Sequence, residues 1–444
     1  MIADPLILAV ILITVMFVFL LSSLWIGVSL MLTGIIGMLI YDHNLPPVIS
    51  IFDKVGDLLA SSLYDAMNSW SLAALPMFIL MGEILYKSSI SAKLLNGLRP
   101  WLSHIPGGLL HVNVAACSLF AAVSGSSTAT TATVGKITLD ELQKRGYSKH
   151  LAMGSLAGSG TLGYLIPPSL IMIIYGVMAD VSIGKLFLAG LLPGLLMASL
   201  YSFYIMYKAK VDPSVLPANE EKYTWSDKLH SLKDLAPIFL LISLVLGSIY
   251  GGYATPTEAA ALGVLGSLIL AAYFKAVSLE ILKNALLNSI RTSVMIGFII
   301  AGAVFLSQVI GFLGIARAMS EFITGLGLTP MMLILIIGIM YIILGMILEA
   351  ISIVVMTLPI VLPIVVLAGF DPLWFGVFLV FMVEMAQITP PVGFSLFVIQ
   401  SISNEKIQTI LKATFPFFIL MIVTVVIITV FPEIVFFLPD QMIK

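Results

Sequence analysis

Four hydroxyl side chains and a glycine stand together at Ser124-Gly125-Ser126-Ser127-Thr128, inside an otherwise apolar run. Two proline pairs, in Ile166-Pro167-Pro168-Ser169 and Thr389-Pro390-Pro391-Val392, interrupt two further long apolar stretches. A proline removes a backbone donor and clashes with the preceding helical turn, so a helix must break at each pair. In hydrocarbon the freed backbone groups are too costly unless protein, water or a bound ion satisfies them, and a broken membrane helix therefore lines a cavity. Hydroxyls and freed carbonyls are hard, uncharged oxygen donors, and together they suit a hard monovalent cation such as Na⁺.

Two cation sites are expected on this chemistry. The first sets Ser124 and Ser126 of the serine-rich stretch against Gly160, Thr161 and Pro167. The second sets Ala350 and Ser352 against Thr389 and Pro390. Half-helix N-termini at the same breaks present unpaired N–H groups and a positive dipole end, which attract a carboxylate. An anionic substrate coupled to Na⁺ follows, with Ser124, Gly125, Ser127, Thr128, Pro168, Ser169, Glu349 and Pro391 as its expected contacts. Glu83, Glu349 and Glu384 are acids inside apolar stretches, where an ionisable residue is either functional or bonded to a buried polar partner. Arg291 and Arg317 lie near expected helix ends and are read as snorkelling.

The elements that must hold these residues occur twice. Pro390 lies 390 − 167 = 223 residues after Pro167, and Pro416 lies 416 − 193 = 223 after Pro193, so Leu165 to Met197 and Ile388 to Leu420 match without a gap. Upstream, Ser89-Ile90-Ser91-Ala92-Lys93 resembles Gly314-Ile315-Ala316-Arg317 with the offset drifting by one or two. A duplication explains both matches.

Composition sets the environment. Of the 444 residues, 60% are hydrophobic and only 10% charged, with a mean hydropathy of +1.13, far more apolar surface than a soluble core needs. The chain is expected to be a multi-pass membrane protein in a lipid bilayer. A net charge of −2 gives no argument for nucleic acid. The single cysteine, Cys117, excludes an internal disulfide and any multi-cysteine metal site. The stretch from Pro5 has no basic n-region and reads as a retained transmembrane helix.

Taken in order, the expected architecture is all-α, with ten crossings and two re-entrant hairpins. Residues 1–207 form a first repeat: scaffold helices, a basic interfacial arm from Lys87 to His104, a hairpin over 107–139 with the serine-rich stretch as its tip, and a broken helix over 151–178. Tyr41 to Ser69, carrying Asp42, Asp53, Asp57 and Asp65, is placed outside. Residues 208–235 read as a polar cytoplasmic linker. Residues 236–444 form the second repeat, with a hairpin over 331–367 and a broken helix over 374–400. The repeats then run in opposite directions, the inverted arrangement of secondary transporters.

Enzyme signatures fail. Gly135-Lys136 and Gly184-Lys185 lack the P-loop glycine, having Thr130 and Ala179 in its place. Gly125, Ser127 and Ala129 miss the nucleophile elbow in its last glycine, and the five histidines lack metal-ligand spacing. No enzyme activity and no cofactor are expected.

The tip with its continuation to Ala132, Gly160-Thr161 with Ile166-Pro167-Pro168-Ser169, and Ile388-Thr389-Pro390-Pro391-Val392-Gly393 resemble the large membrane subunit of tripartite ATP-independent periplasmic (TRAP) transporters. The likeness spans nearly the whole chain. It implies Na⁺ symport by an elevator motion, a small four-helix membrane subunit and a soluble periplasmic protein that delivers an organic acid. It also implies a location in the bacterial inner membrane. The chain begins directly with a large-subunit helix, so the small subunit is expected as a separate chain. The acid implied is sialic acid first and a C4-dicarboxylate next, on overall resemblance alone. Two other readings are a stand-alone Na⁺/anion symporter or exchanger, and a membrane enzyme acting on a lipid-linked substrate. The enzyme would need an acid/base pair near one interface. On the site reading, Ser126→Ala and Thr389→Ala each weaken the Na⁺ dependence of uptake while expression stays intact; equal loss of folding in both would make these hydroxyls packing groups.

Overall fold

The computed structural model describes residues 4–42, 51–88, 90–217 and 223–442, and among them all regular structure is helical. Seven of the described helices are long and apolar enough to cross a membrane, and shorter apolar helices such as Pro5–Leu21, Leu110–Ser124 and Pro372–Gln387 lie among them. Helix starts follow local chemistry. Thr224 and Asp227, and again Thr255 and Glu258, form capping boxes, and Ser148, Ser182, Thr329 and Asp371 each cap the helix that follows.

The helices pack in two groups, and each half of the chain contributes to both. One group takes Ile26–Asp42, Ile51–Met67, Ala74–Lys87 and Ile90–Leu102 from the first half, and Trp225–Tyr250, Pro256–Tyr273 and Leu279–Phe312 from the second. Its centre is Leu279–Phe312, which packs on three of the first-half helices. The other group holds the two hairpins and the two broken helices. Here Ile407–Val430 lies on Lys149–Gly160, Phe394–Ser403 lies on Ser127–Lys144, and Ala350–Leu367 lies on Leu170–Ala179. Small residues permit these approaches. A Cβ on Gly154 would sit 2.2 Å from the carbonyl oxygen of Ala413, and one on Gly302 would sit 2.7 Å from that of Gly27.

The duplication reappears in the element borders. Ser127–Lys144 and Ala350–Leu367 start 350 − 127 = 223 and end 367 − 144 = 223 residues apart. Both hairpins form, as Leu110–Ser124 with Ser127–Lys144 and as Pro330–Gly345 with Ala350–Leu367. Both apolar stretches break near their proline pairs, and the Pro167-Pro168 and Pro390-Pro391 peptide bonds are both cis. Pro193, Pro359, Pro363 and Pro416 stay inside continuous helices.

One expectation is corrected. The polar stretch 208–235 is not all linker: Ile183–Val211 runs into it, and Trp225–Tyr250 begins inside it at the Thr224 cap. Leu232 and Leu235 recur at helical spacing there, and the interleaved lysines hide that periodicity. The acidic stretch from Tyr41 to Ser69, expected outside, contains a helix. Ile51–Met67 is an amphipathic helix laid on Leu279–Phe312, with the Ser62 hydroxyl donating to Gln308 Oε1 at 2.7 Å; residues 43–50 lie outside the described residues. The basic arm forms as Ile90–Leu102 and is held against Trp225–Tyr250. Trp101 Nε1 donates to Ser231 Oγ at 3.0 Å, and Lys93 lies 3.9 Å from Asp234.

The close glycine contacts make a direct packing test. Gly154→Ala forces a methyl against backbone and should destabilise the protein by about 1–3 kcal/mol, read as a lower melting temperature in detergent. Gly311→Ala, with nothing within 4 Å of the added carbon, should leave it unchanged or slightly raised.

Candidate ion and substrate site

The first hairpin turns at Gly125, whose φ of +61° is the left-handed backbone that glycine adopts without a Cβ penalty. Ser126 then caps the second arm, its hydroxyl accepting from Ala129 N–H at 3.4 Å. Ser124 and Thr130 hydroxyls meet at 2.8 Å, and Thr130 also donates to the Ser126 carbonyl at 2.7 Å. The tip is thus tied internally, with Ser124, Ser126 and Thr128 half-buried and Ser127 fully buried.

This tip seats on the first break. Lys149–Gly160 tightens into a 3₁₀ turn over Thr161–Tyr164, the chain passes through Pro167-Pro168, and Ser169 caps Leu170–Ala179 by accepting from Met172 N–H at 3.3 Å. The carbonyl of Gly125 accepts from Leu170 N–H at 3.3 Å, so tip and break share a backbone hydrogen bond. A Cβ on Gly163 would lie 2.4 Å from Ser127 Cα, and one on Gly160 would lie 2.0 Å from Thr131 Oγ1. The structure therefore brings Ser124, Gly125, Ser126, Ser127, Gly160, Thr161, Pro168 and Ser169 into one neighbourhood. Thr161 turns its hydroxyl to the Gly158 carbonyl at 2.5 Å.

The second half is built less tightly. Glu349 caps Ala350–Leu367, its carboxylate accepting from Ile351 N–H at 3.1 Å, in the place that Ser126 takes in the first repeat, 349 − 126 = 223. Thr389 donates to the Met385 carbonyl at 2.6 Å, and Gly393 at φ +38° opens Phe394–Ser403. Among the described residues no hydrogen bond joins Glu349, Ala350 or Ser352 to Thr389 or Pro390. The second hairpin meets the second broken helix one turn earlier, at Gly345 and Ala386. Pro390 and Pro391 are exposed, whereas Pro167 and Pro168 are fully buried.

Glu384 does what its position alone did not reveal. It is wholly buried on Pro372–Gln387, and its Oε1 accepts from both the Ser127 hydroxyl and the Tyr164 N–H, the latter at 2.9 Å. An acid of the second repeat thereby bonds both the tip and the break of the first. Glu83 is paired instead, 3.1 Å from Asn288 Nδ2 and 4.0 Å from Lys87. Arg317 lies exposed beside Glu321. Sequence reading missed Thr131, Gln387 and Ser395, each carrying a buried oxygen with no hydrogen-bond partner among the described residues. Thr131 had a usable signal, since it lies one helical turn after Ser127 and shares its face.

At the far end of these elements, charge staples the hairpin base. Arg145 hydrogen-bonds Glu141 at 2.7 Å and Arg99 lies 3.6 Å away, together holding that carboxyl below the usual range. Lys149 lies 2.8 Å from Glu405 and lowers it in the same way.

An all-helical membrane protein with two hairpins and two proline-broken helices, the first tip seated on the first break, has the form of a transporter, and comparison with known proteins agrees. The family described as "Tripartite ATP-independent periplasmic transporter, DctM component" matches residues 13–434, and the chain belongs to it. It is 34% identical over 383 residues to the C4-dicarboxylate TRAP transporter large permease protein DctM of Pseudomonas aeruginosa, covering 86% of this chain and 89% of that one. It is 31% identical to the sialic acid TRAP transporter permease protein SiaT of Haemophilus influenzae, over 88% of this chain and 63% of that protein. In fold it is similar to the Alcanivorax borkumensis YdaH transporter, with a TM-score of 0.67 at 11% identity over 92% of this chain and 98% of that one.

Thr131 gives a test free of capping effects, because its hydroxyl bonds nothing. Thr131→Val keeps shape and removes only the oxygen, so the melting temperature should hold or rise slightly. The Na⁺ concentration for half-maximal uptake should rise several-fold, and an unchanged value would assign this oxygen to packing.

Proposed function

We propose that this chain is the large permease subunit of a Na⁺-coupled transporter that imports an organic acid into the bacterial cytoplasm across the inner membrane. The observation that carries the reading is the seating of a hydroxyl-rich tip on a broken helix, with the orphaned oxygen of Thr131 beside the glycine of the break. Na⁺ is cargo here. Oxygens of Ser124, Ser126, Gly160, Thr161 and Pro167 would hold one ion, and those of Ala350, Ser352, Thr389 and Pro390 a second. Each oxygen is neutral, so binding is weak enough to be reversed in every cycle.

The substrate carboxylate is placed between the half-buried tip residues and the exposed Pro390-Pro391 turn, near the N-termini of Ser127–Lys144, Leu170–Ala179 and Phe394–Ser403. Glu349, already a cap, would border the substrate through the carboxyl edge not used in capping. Relatives named for C4-dicarboxylates and for sialic acid share a carboxylate, and both acids belong in the first assay.

The hairpin group would move as one body against the group centred on Leu279–Phe312, in elevator fashion. Support for this comes from the tighter glycine-to-backbone approaches, such as Gly154 on Ala413 and Gly302 on Gly27, which lie inside the groups, while a Cβ on Gly82 would meet Val123 across them at 3.2 Å. A small membrane subunit and a soluble periplasmic delivery protein complete the assembly, as the family implies.

Uptake of labelled sialic acid and of succinate into proteoliposomes, with and without an inward Na⁺ gradient and a cognate binding protein, tests the proposal. Accumulation requiring both is expected. Accumulation with Na⁺ alone would make the chain a stand-alone symporter, and accumulation independent of Na⁺ would overturn the coupling.

A further inference from the structure

The geometry assigns Glu384 as a positioning residue: its carboxylate latches the tip of the first hairpin to the first break and so presets the oxygens that receive the coupling ion. This rests on the proposed Na⁺ coupling and extends it to a residue outside both expected ion sites. Three observations support it. One carboxylate oxygen accepts from the Ser127 hydroxyl and from the Tyr164 N–H, two groups 37 residues apart by 164 − 127, on the two elements that frame the first site. Glu384 itself comes from the other repeat. Its partners there hold no charge, and among the described residues no lysine, arginine or histidine nitrogen lies within 4.0 Å of it. Both bonds fall on Oε1, at the N-terminus of Ser127–Lys144, while Oε2 is buried with no hydrogen-bond partner among the described residues.

The duplication makes the assignment sharper. The first-repeat counterpart of Glu384 is residue 384 − 223 = 161, and the Thr161 hydroxyl donates to Gly158 in its own helix and reaches Met421 Sδ in the last long helix at 3.9 Å, not the second hairpin tip. Among the described residues a bond from broken helix to hairpin tip across the repeats is therefore made by Glu384 and not by Thr161. Removing the carboxylate would leave the Ser127 hydroxyl and the Tyr164 N–H without their buried acceptor, and each would seek another partner by shifting the tip. The ion oxygens of Ser124 and Ser126 are adjacent to Ser127 in that tip, so they would shift with it.

The test uses the full chain with its small subunit in proteoliposomes, in a Cys117→Ser background carrying Ala129→Cys on the half-buried tip. Glu384→Ala should raise the Na⁺ concentration for half-maximal uptake by about tenfold or more while maximal rate falls less, and should speed labelling of the tip thiol by a soluble maleimide. Glu384→Gln keeps an amide oxygen that can accept both bonds and should recover most of the Na⁺ affinity and the slow labelling. Ser127→Ala breaks one of the two bonds and should give an intermediate shift, which decides the matter if Glu384→Ala does not fold. Unchanged Na⁺ affinity and unchanged labelling in both Glu384→Ala and Ser127→Ala would overturn the assignment, as would a Gln variant as impaired as Ala in both readouts. If the unsubstituted protein shows no Na⁺ stimulation, the coupling proposal fails on its own, and the labelling rates still decide whether Glu384 latches the tip.

Discussion

Backbone polar groups cannot be left unpaired in hydrocarbon, and the organisation of this chain depends on that constraint. Each proline pair breaks a helix within an apolar stretch, and each break needs something polar brought to it. The first break receives the tip of a hairpin, down to a shared backbone hydrogen bond between Gly125 and Leu170. Glycines at 160 and 163 are the condition of that approach, because a side chain at either would collide with Thr131 or Ser127. The same pressure that forces the tip into the break concentrates neutral oxygens there, the donor type that the proposed Na⁺ site would use.

The two repeats meet this constraint differently. The first break is fully buried under its tip, while the second leaves Pro390 and Pro391 exposed beside a hairpin whose cap is a carboxylate. A closed oxygen cluster suits a small cation, and an open turn flanked by helix N-termini suits a larger anion. Glu384 ties the two, since it leaves the second repeat to bond the first. On the proposed function, substrate and ion would share one set of elements, and the binding of each would be sensitive to how the other positions them.

What the sequence made legible is local or periodic. Proline pairs, the serine-rich turn and the 223-residue offset are visible without any contact map, and they located both hairpins and both breaks. Helix onset at Thr224 was obscured because the first turns of that helix carry lysines and acids in numbers that read as linker. Glu349 was visible as an intramembrane acid, but capping geometry decides what it does. Glu384 was equally visible, and its partners at 127 and 164 lie in the other repeat, beyond any spacing rule. Thr131 required knowledge of which helix face meets Gly160. Sites assembled across a duplication are legible in type and illegible in pairing.

The most direct measurement of the central claim is a pair of experimental density maps of the chain in lipid nanodiscs, one in Na⁺ and one in choline. The account predicts a peak within about 2.3–2.6 Å of oxygens on the first tip and on the Gly160-Thr161 turn, present in Na⁺ and absent in choline. Identical maps at that position, with the tip seated on the break in both, would contradict it: the hydroxyls would then serve packing alone, and coupling would have to reside elsewhere.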